Sequence, residues 1–471
     1  MKPTHKSKYL AVLLGGWMLW SGIGWAQEAA PAAEETEEVE PTRVELEDPF
    51  KPRYILESIE VRGNSKTHGE LILSYVHLKP GEVLDEEKVE ISRVRLLALG
   101  YFKDVHMSLE KGSERGRVKL VVEVDERNTI IIDDLFGGFS ETNPFWGGIG
   151  VSDINFLGRG LVLSGAFVAS EYQQAYRLGA FWPSIFNTNL MAGVEALVSL
   201  GEERKLEDSA CDRDQGLKYL RAGGVLSLGM RVDRVHRINF ELHGEHIEDS
   251  SNRGDWCDTD PHPFDGYLRT GQSTFWSLTF RFERDTRDDF FLATRGMHLV
   301  ISVELASKIF FGSDYEFSKY MVKYEHSFPA FLDHAFRVSV VGGLIQDVGE
   351  QGSPFFKRFY VGDYAFFQVD KDSLPRNLEL NFSKVVDYGD LMASIGAEYD
   401  IPLWSRGKFF YRGYVYAAAN FSYVTKADFL ASEEEWTGRT KRPVSMDIGM
   451  KVDTPIGLFT FSLGYVFDLI F

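Results

Sequence analysis

Apolar and polar positions alternate along most of the chain from about residue 129 to its end. The last fourteen residues, Leu458–Phe471 (LFTFSLGYVFDLIF), show the pattern most clearly. Large apolar side chains occupy the odd positions Phe459, Phe461, Leu463, Tyr465, Phe467, Leu469 and Phe471. Successive side chains of a β-strand point to opposite faces, so this stretch predicts a strand with one aromatic face. The free edge of such a strand invites aggregation in a soluble protein, whereas in a transmembrane barrel lipid covers the apolar face and closure removes the edge.

Similar segments recur upstream and are long enough for a tilted strand to cross a bilayer, which takes about 9–11 residues. They are Trp146–Phe156, Gly160–Ala169, Leu190–Leu200, Tyr219–Val232, Ile238–His246, Thr274–Glu283, His298–Ala306, Lys319–Phe328, Phe336–Ile345, Met392–Ile401, Phe409–Tyr423 and Ser445–Thr454. Short connections alternate with long polar ones at Gly201–Lys218, Glu248–Ser273, Val348–Gly389 and Thr425–Pro443. This asymmetry is usual for outer-membrane barrels, and we assign residues 129–471 to an all-β antiparallel barrel.

The number of strands poses a parity problem. The pattern yields about fifteen strands, whereas chain ends on the same side of the membrane require an even number. Either a further strand lies in Leu378–Val386 (LELNFSKVV), or the final hairpin is short. We predict sixteen strands.

Residues 53–126 show a different pattern. A strand over Tyr54–Val61 precedes helical spacing in Glu70–His77, and Asp85 is placed to cap a second helix that ends near Leu99. Two alternating strands follow, at Phe102–Leu109 and Val118–Val124. The sequence therefore predicts a small α+β domain of order β-α-α-β-β.

The N-terminus is typical of an exported protein. Lys2, Lys6 and Lys8 precede an apolar run, and Gly24-Trp25-Ala26 offers a cleavage site, so residues 1–26 predict a signal peptide. A retained membrane anchor is the alternative. Residues 27–52 are rich in acidic residues and proline and predict a disordered linker.

The composition argues against one class of partner and bears on the state of the two cysteines. The net charge of −19 argues against a nucleic-acid partner, and 14% aromatic residues fit the aromatic girdles of a barrel. The two cysteines, Cys211 and Cys257, lie in polar, loop-like segments. In an exported chain such a pair favours a disulfide between neighbouring loops, with two free thiols as the alternative.

Several motifs give the pattern a family resemblance. Ile59–Asn64 (IEVRGN), Lys79-Pro80-Gly81, Leu97–Val105 (LALGYFKDV) and Leu120–Val124 resemble a POTRA domain, the polypeptide-transport-associated module. In the barrel, Asp153–Gly160 (DINFLGRG), Arg284–Asp288 (RDTRD), Pro354–Gly362 (PFFKRFYVG) and Thr454–Gly457 (TPIG) resemble the BamA/TamA outer-membrane superfamily, also called the bacterial surface antigen barrel.

The resemblance implies a function and an internal loop. A client strand would pair at a seam between the first and last barrel strands, near Thr129–Ser140 and Leu458–Phe471, while the POTRA edge captures extended client. The long loop would fold inward, with Arg358, Phe359 and Gly362 in its motif. The family's subsequent Arg-Gly-aromatic triplet does not follow Gly362 here, and Arg376 or Arg358 is a candidate replacement. An arginine in the lumen would require a carboxylate partner.

The implied setting is the Gram-negative outer membrane with the POTRA domain in the periplasm. The implied partners are lipid, unfolded client polypeptides, and periplasmic chaperones or assembly-complex subunits. The alternatives are a two-partner-type polypeptide exporter and a structural or adhesive barrel, and the POTRA domain could act only as a spacer.

The sequence offers little sign of catalysis or cofactors. We find no Gly-x-Ser-x-Gly elbow, phosphate loop or paired zinc cysteines, so we expect no enzyme activity and no cofactor. His243 and Glu245 would share one face of a strand while His246 faces the other, which disfavours a metal site. Asp255, Asp258 and Asp260 could bind calcium weakly, but an ordinary solvated loop is the simpler interpretation.

Overall fold

The computed structural model of the chain describes most of residues 54–468. The described ranges are 54–138, 145–185, 188–203, 217–233, 235–251, 268–288, 292–348, 352–361, 379–381, 387–404, 409–425, 443–454 and 457–468. The predicted signal peptide and acidic linker lie outside these ranges, as do Cys211, Cys257, Gly362, Arg376 and Phe471. Among the described residues, none of the helices has the length and hydropathy needed to cross a membrane.

The first described region forms a three-stranded sheet with two helices. Its elements are β1 Ile55–Arg62, α1 Gly69–Ser74, α2 Glu86–Ala98, β2 Phe102–Lys111 and β3 Arg117–Glu126. Strand β3 lies in the centre, parallel to β1 and antiparallel to β2. The predicted order of elements is confirmed, and Asp85 caps α2 by accepting hydrogen bonds from the backbone N–H groups of Glu87 and Lys88.

The core of this domain follows from the alternation of β3. Leu120, Val122 and Val124 are buried on the face that meets the helices. Ile72 from α1 and Leu96 from α2 pack against them and are fully buried. One apolar core therefore joins the helices to the sheet.

The rest of the chain forms a long antiparallel meander. Its strands are β4 Ile130–Gly138, β5 Trp146–Phe156, β6 Leu161–Ser170, β7 Gln173–Trp182, β8 Leu190–Glu203, β9 Leu217–Arg231, β10 His236–Asp249, β11 Gly271–Asp285, β12 Gly296–Ala306, β13 Phe317–Pro329, β14 Ala335–Asp347, β18 Leu391–Trp404, β19 Arg412–Thr425, β20 Pro443–Thr454 and β21 Gly457–Asp468. Between β14 and β18 lie the short strands β15 Phe359–Val361, β16 Glu379–Asn381 and β17 Asp387–Gly389, and a short helix, α3 Lys308–Phe311, precedes β13.

Each strand pairs with its neighbour in this order, and β14 pairs with β18 across the long insertion. Alternation sorts the side chains between the two faces. Leu226, Leu228 and Leu463 are exposed on the outer face, whereas Arg221 and Glu245 are buried inside. An apolar exterior around a polar interior is the arrangement of a transmembrane barrel.

Sixteen described strands lie in the sheet, but the antiparallel meander has an odd number of them, so β4 begins at one end of the barrel and β21 finishes at the other. Fifteen strands form the meander, and β16, inside the predicted segment Leu378–Val386, is the sixteenth strand of the sheet. It pairs with β21 in parallel, with Leu380 opposite Leu463. Strands β4 and β21 approach each other with β16 against both. We call this region, β4 with β16 and β21, the seam.

The two ends of the barrel differ. The connections after β5, β7, β9, β13, β18 and β20 are short, as predicted, and the POTRA-like domain enters at this end. We call it the short-turn end. The long connections after β8, β10, β14 and β19 lie at the other end.

Candidate functional site: the inward loop and the seam

The loop that follows β14 turns back into the barrel. Residues Pro354–Phe359 run through one 3₁₀ turn, Phe355–Lys357, and Phe355, Phe356 and Phe359 are each no more than 5% exposed. We call residues 352–361 the inward loop. Burial of three phenylalanines removes a large apolar area from water and fixes the loop against the wall.

Lys357 is the charged anchor of the inward loop. Its Nζ lies 2.7 Å from Glu304 Oε1 on β12, and its backbone carbonyl accepts a hydrogen bond from Lys319 Nζ on β13 at 3.0 Å. Ser277 Oγ donates to the same Glu304 oxygen at 2.6 Å. A buried charge is tolerated only when it is paired and hydrogen-bonded, and Glu304 meets both conditions.

A second buried pair lies beside it. Arg221 on β9 donates two hydrogen bonds of 2.7 Å to Glu245 on β10, and its guanidinium lies 3.5 Å from the ring centroid of Phe356. The planar guanidinium suits both the forked carboxylate contact and the stacking contact. Phe356 at the tip of the inward loop therefore packs on Arg221 of β9, which in turn is bonded to Glu245 of β10.

His243 connects the two pairs. Its Nδ1 lies 3.2 Å from Lys357 Nζ and its Nε2 lies 2.6 Å from Glu245 Oε1. An ammonium group can only donate, so in this geometry Nδ1 is placed to accept from Lys357 and Nε2 to donate to Glu245. His243 and Glu245 share one face of β10, as expected. Together they complete a buried hydrogen-bond network that runs from Glu304 through Lys357 and His243 to Glu245 and Arg221.

Arg358, a candidate from the sequence, has carboxylate partners of its own. It lies 3.4 Å from Asp347 at the end of β14 and 3.3 Å from Asp390 before β18. Phe359, the next residue, packs on the Gly343 position, where an added Cβ would lie 2.1 Å from the ring. The sequence singled out Arg358 and Phe359 but missed Lys357, although Lys357 stands in the same motif. Charged residues at inward positions of β9, β10 and β12 were the available signal.

The inward loop borders a lumen cavity of about 500 Å³. Its charged lining residues carry both signs and include Arg177, Glu195, Arg221, Glu241, Arg281, Glu304, Lys319 and Lys357. A cavity lined by both acidic and basic side chains favours neither anionic nor cationic ligands. It provides a polar, partly filled interior.

A second ion-pair group ties the last strands together near the short-turn end. Arg337 on β14 lies 2.6 Å from Glu398 on β18, and Lys451 on β20 lies 2.5 Å from Glu398 and 3.0 Å from Asp400. These cross-strand pairs bridge β14, β18 and β20. These ion pairs therefore stabilise the strands β14, β18 and β20, which lie next to the β21 side of the seam.

One group could in principle hold a metal ion. Among the described residues, Glu283, Asp285 and His298 bring ligand atoms within 4.8 Å of one another. Asp285 already accepts two hydrogen bonds from Arg287, and Glu283 lies 3.0 Å from His298 Nε2. The ligand atoms of Asp285 and Glu283 therefore already have hydrogen-bond partners, in Arg287 and His298.

At the seam, the outer edge of β21 is paired over only a short stretch of the described chain. Strand β20 pairs along β21 from Gly457 to Asp468, whereas β16 pairs only with Ser462–Gly464. Phe461 and Leu463 are exposed on the outer face and Phe459 is half-buried. For Tyr465 and Phe467 the structure describes the backbone alone. Phe461 and Leu463 thus lie on the outer face of the barrel, and among the described strands only β16 pairs with the outer edge of β21.

The family profiles identify both parts of this architecture. The profile described as "Surface antigen variable number repeat" (POTRA) matches residues 54–127, and the profile described as "Omp85 superfamily domain" matches residues 155–468. The chain belongs to the Omp85 superfamily. This agrees with the BamA/TamA resemblance of its motifs.

Relatives and solved structures agree with this Omp85 assignment. The chain is 23% identical over 433 residues to the outer membrane protein assembly factor BamA of Nitratidesulfovibrio vulgaris, covering 89% of this chain and 49% of that protein. It is 24% identical to BamA of Neisseria meningitidis over 76% of this chain and 45% of that protein. The chain thus spans about half the length of these curated relatives.

Two solved structures share the fold. BamA from Haemophilus ducreyi lacking POTRA domains 1–3 matches with a TM-score of 0.56 at 18% identity, over 88% of this chain and 81% of that one. CdiB from Acinetobacter baumannii matches with a TM-score of 0.51 at 12% identity, over 88% and 74% of the two chains. At these identities the likeness supports the fold of this Omp85 chain.

Proposed function

We propose that this Omp85 chain assists insertion or translocation of client proteins at the Gram-negative outer membrane by pairing a client strand at the seam. The observation that carries the proposal is the seam itself: β20 pairs along one edge of β21, whereas on the other edge the described residues pair only β16, in parallel, at Ser462–Gly464. Unpaired N–H and C=O groups of an edge strand are a template for another strand. In lipid such groups must find partners, so an incoming strand gains backbone hydrogen bonds there.

The first hairpin of the barrel supports the same site. Gly137 on β4 lies opposite Gly147 on β5, and Phe136 lies opposite Gly148. Glycines contribute no cross-strand side-chain contact and weaken a strand pair. Strand β4 also contains a register shift between Ile132 and Asp134. The end of the β4–β5 pair that lies away from the POTRA domain therefore gains little from side-chain contacts, which favours opening of the seam there.

The inward loop favours the seam over a route through the lumen. Lys357 and Arg221 connect the loop to the wall by buried ion pairs, and its phenylalanines fill part of the interior. A polypeptide passing through the lumen would have to break these contacts. A client at the seam would not.

The POTRA domain adds a place for capturing extended client. One outer strand of its sheet, β1, is covered at its start, since Leu56 exchanges hydrogen bonds with Glu82 and Gly81. The other outer strand, β2, presents exposed residues such as Lys103 and His106. Strand addition at β2 is the recognition mode that such an edge permits. Because the domain enters at the short-turn end, this proposal assigns that end to the periplasm.

A pair of engineered disulfides tests the seam. Leu380→Cys with Leu463→Cys would hold β16 on the edge of β21, since the two residues are opposite each other. Ile448→Cys with Leu463→Cys is the matched control, because it joins β21 to the neighbour that already pairs along its length. Both pairs are made with Cys211→Ser and Cys257→Ser. Each variant replaces the depleted native protein in its own cell, and outer-membrane proteomics is the readout.

We expect the Leu380/Leu463 disulfide to reduce many outer-membrane barrel proteins, reductant to restore them, and the control to have no effect. Normal levels with the edge locked would overturn the seam proposal. Depletion of the protein separates the alternatives. Loss of one secreted protein would favour export, and an unchanged outer membrane would favour a structural role.

A further inference from the structure

The first short turn of the barrel rests on the POTRA domain. This turn, Leu157–Gly160, joins β5 to β6, and the carbonyl of Gly158 accepts a hydrogen bond from the backbone N–H of His68 at 2.9 Å. His68 immediately precedes α1. A domain and a barrel turn that are distant in sequence therefore share a backbone hydrogen bond.

A buried side-chain pair strengthens this contact. Asn155 Nδ2 donates to Thr67 Oγ1 at 2.9 Å, and the two residues are 4% and 3% exposed. The amide oxygen of Asn155 accepts a hydrogen bond from the N–H of Gly160 at 2.7 Å, which holds the turn in shape. Loss of either partner would leave a buried polar group without its hydrogen bond.

The approach of the two backbones requires glycine. Gly158 has a φ of +69°, and a Cβ there would lie 1.9 Å from the carbonyl oxygen of Lys66. Gly160, with a φ of +68°, lies against Leu71 and Tyr101, where an added Cβ would be 3.3 and 3.4 Å from the nearest atoms. The close fit of the turn is thus specified by residues without a side chain.

The POTRA side of the contact is itself held rigidly. The Glu126 carboxylate, at the end of β3, accepts hydrogen bonds from the backbone N–H groups of Ser65, Lys66 and Thr67. Ile154 of β5 packs against the apolar core of the POTRA domain. Only three residues separate Glu126 from the start of β4. Both the chain connection and the docked turn therefore tie the domain to the β4 side of the seam.

We propose that Thr67 and Asn155 are positioning residues that lock the POTRA domain, β4 and the β5–β6 hairpin into one body. Opening of the seam is then a movement of this whole body relative to β21, so that a force on the POTRA domain reaches β4 directly. The link to seam opening rests on the proposed function. The locked geometry does not.

Distance measurements on the full-length protein in lipid nanodiscs test the lock. Spin labels at Lys111→Cys, on exposed β2, and at Phe331→Cys, in an exposed short turn, report the POTRA domain relative to the barrel. Both are introduced with Cys211→Ser and Cys257→Ser. Thr67→Val removes the hydroxyl at nearly constant volume, and Thr67→Ser keeps it. Gly158→Ala pushes on Lys66, whereas Gly116→Ala, at a φ of +89° with open space around it, imposes similar backbone strain without a neighbour.

We expect one narrow distance distribution in the parent, Thr67→Ser and Gly116→Ala proteins, and a broad one in Thr67→Val and Gly158→Ala. Equally narrow distributions in all five would overturn the lock. Outer-membrane proteomics on the same variants tests the coupling: we expect barrel proteins to decline with Thr67→Val and to recover with Thr67→Ser. Broad distances with a normal outer membrane would overturn the coupling. If the edge-locking disulfide is harmless while the distances behave as expected, the proposed function fails and the lock stands.

Discussion

Lys357 in the inward loop and Glu304 on β12 form a buried ion pair, with Nζ 2.7 Å from Oε1 and both side chains less than 10% exposed. The pair joins a segment of the long insertion to the barrel wall, so we expect it to help hold the loop inside. Its strength depends on both charges being present, since either one alone would be buried without compensation.

Lys357→Met should release the inward loop. The substitution removes the ammonium group nearest to Glu304 and leaves only the Ser277 hydroxyl and the Lys319 charge, so the loss should approach the penalty of about 3–5 kcal/mol that is typical of a broken buried pair. The double variant Lys357→Met/Glu304→Gln should recover much of this loss, because no net charge is then buried. Limited chymotrypsin digestion at Phe355–Phe359 and the urea midpoint of unfolding in lipid measure the effect. Equal sensitivity of the single variant and the parent would show that the pair does not hold the loop.

Two adjacent glycines on β14 provide a steric test of the same contact. Gly343→Ala would place a Cβ 2.1 Å from the Phe359 ring, whereas nothing lies within 4 Å of a Cβ at Gly342. Overpacking of this kind costs about 1–3 kcal/mol, so Gly343→Ala should displace Phe359 and increase cleavage of the loop. Gly342→Ala should behave like the parent protein in the same digestion. A similar digestion pattern for both variants would place Phe359 elsewhere.

Local pattern was sufficient for much of the fold. Strand β5 has the predicted bounds, Trp146–Phe156, because alternation and a following glycine-rich turn both act over a few residues. Asp85 was recognised as a cap for the same reason. The strand expected within Leu378–Val386 is present as β16, but its parallel pairing with β21 could not be predicted. Alternation specifies which face a residue occupies and carries no information about a strand's partner.

The inward loop was only partly predictable from the sequence. The motif at Pro354–Gly362 indicated a loop that enters the barrel, and Arg358 was a reasonable choice for its charge. The deeper anchor is Lys357, whose partners His243 and Glu304 are more than fifty residues away in sequence. Such pairs depend on the curvature of the whole barrel, which no local window contains.

The POTRA domain should lose stability in acid through Glu126. Burial alone would raise the pKa of this carboxyl, but hydrogen bonds from Ser65, Thr67 and Lys66 lower it to about 2. The ordinary value is 4.5. Because the folded-state pKa is the lower one, the stabilisation is complete above about pH 4.5 and is lost as the pH falls towards 2.

Hydrogen–deuterium exchange of residues 63–68 measures this contribution. Glu126→Gln should exchange faster than the parent at pH 6, and the difference should shrink as the pH falls towards 2, where the parent carboxylate is protonated. Glu123→Gln, exposed on the same strand, should match the parent at every pH. A difference between Glu126→Gln and the parent that does not change with pH would argue against titration of Glu126.

The two cysteines should form a disulfide between neighbouring long loops. Cys211 lies in the connection between β8 and β9, and Cys257 in that between β10 and β11. Since Tyr219 of β9 pairs with Asp249 of β10, the first connection ends beside the point where the second begins, at the same end of the barrel. Closing a loop of this length stabilises a chain by about 4 kcal/mol in the entropic account. We expect no thiol labelling before reduction, two labels after it, and a lower urea midpoint for Cys211→Ser. Labelling of both thiols in the unreduced protein isolated from the membrane would establish the alternative of two free cysteines.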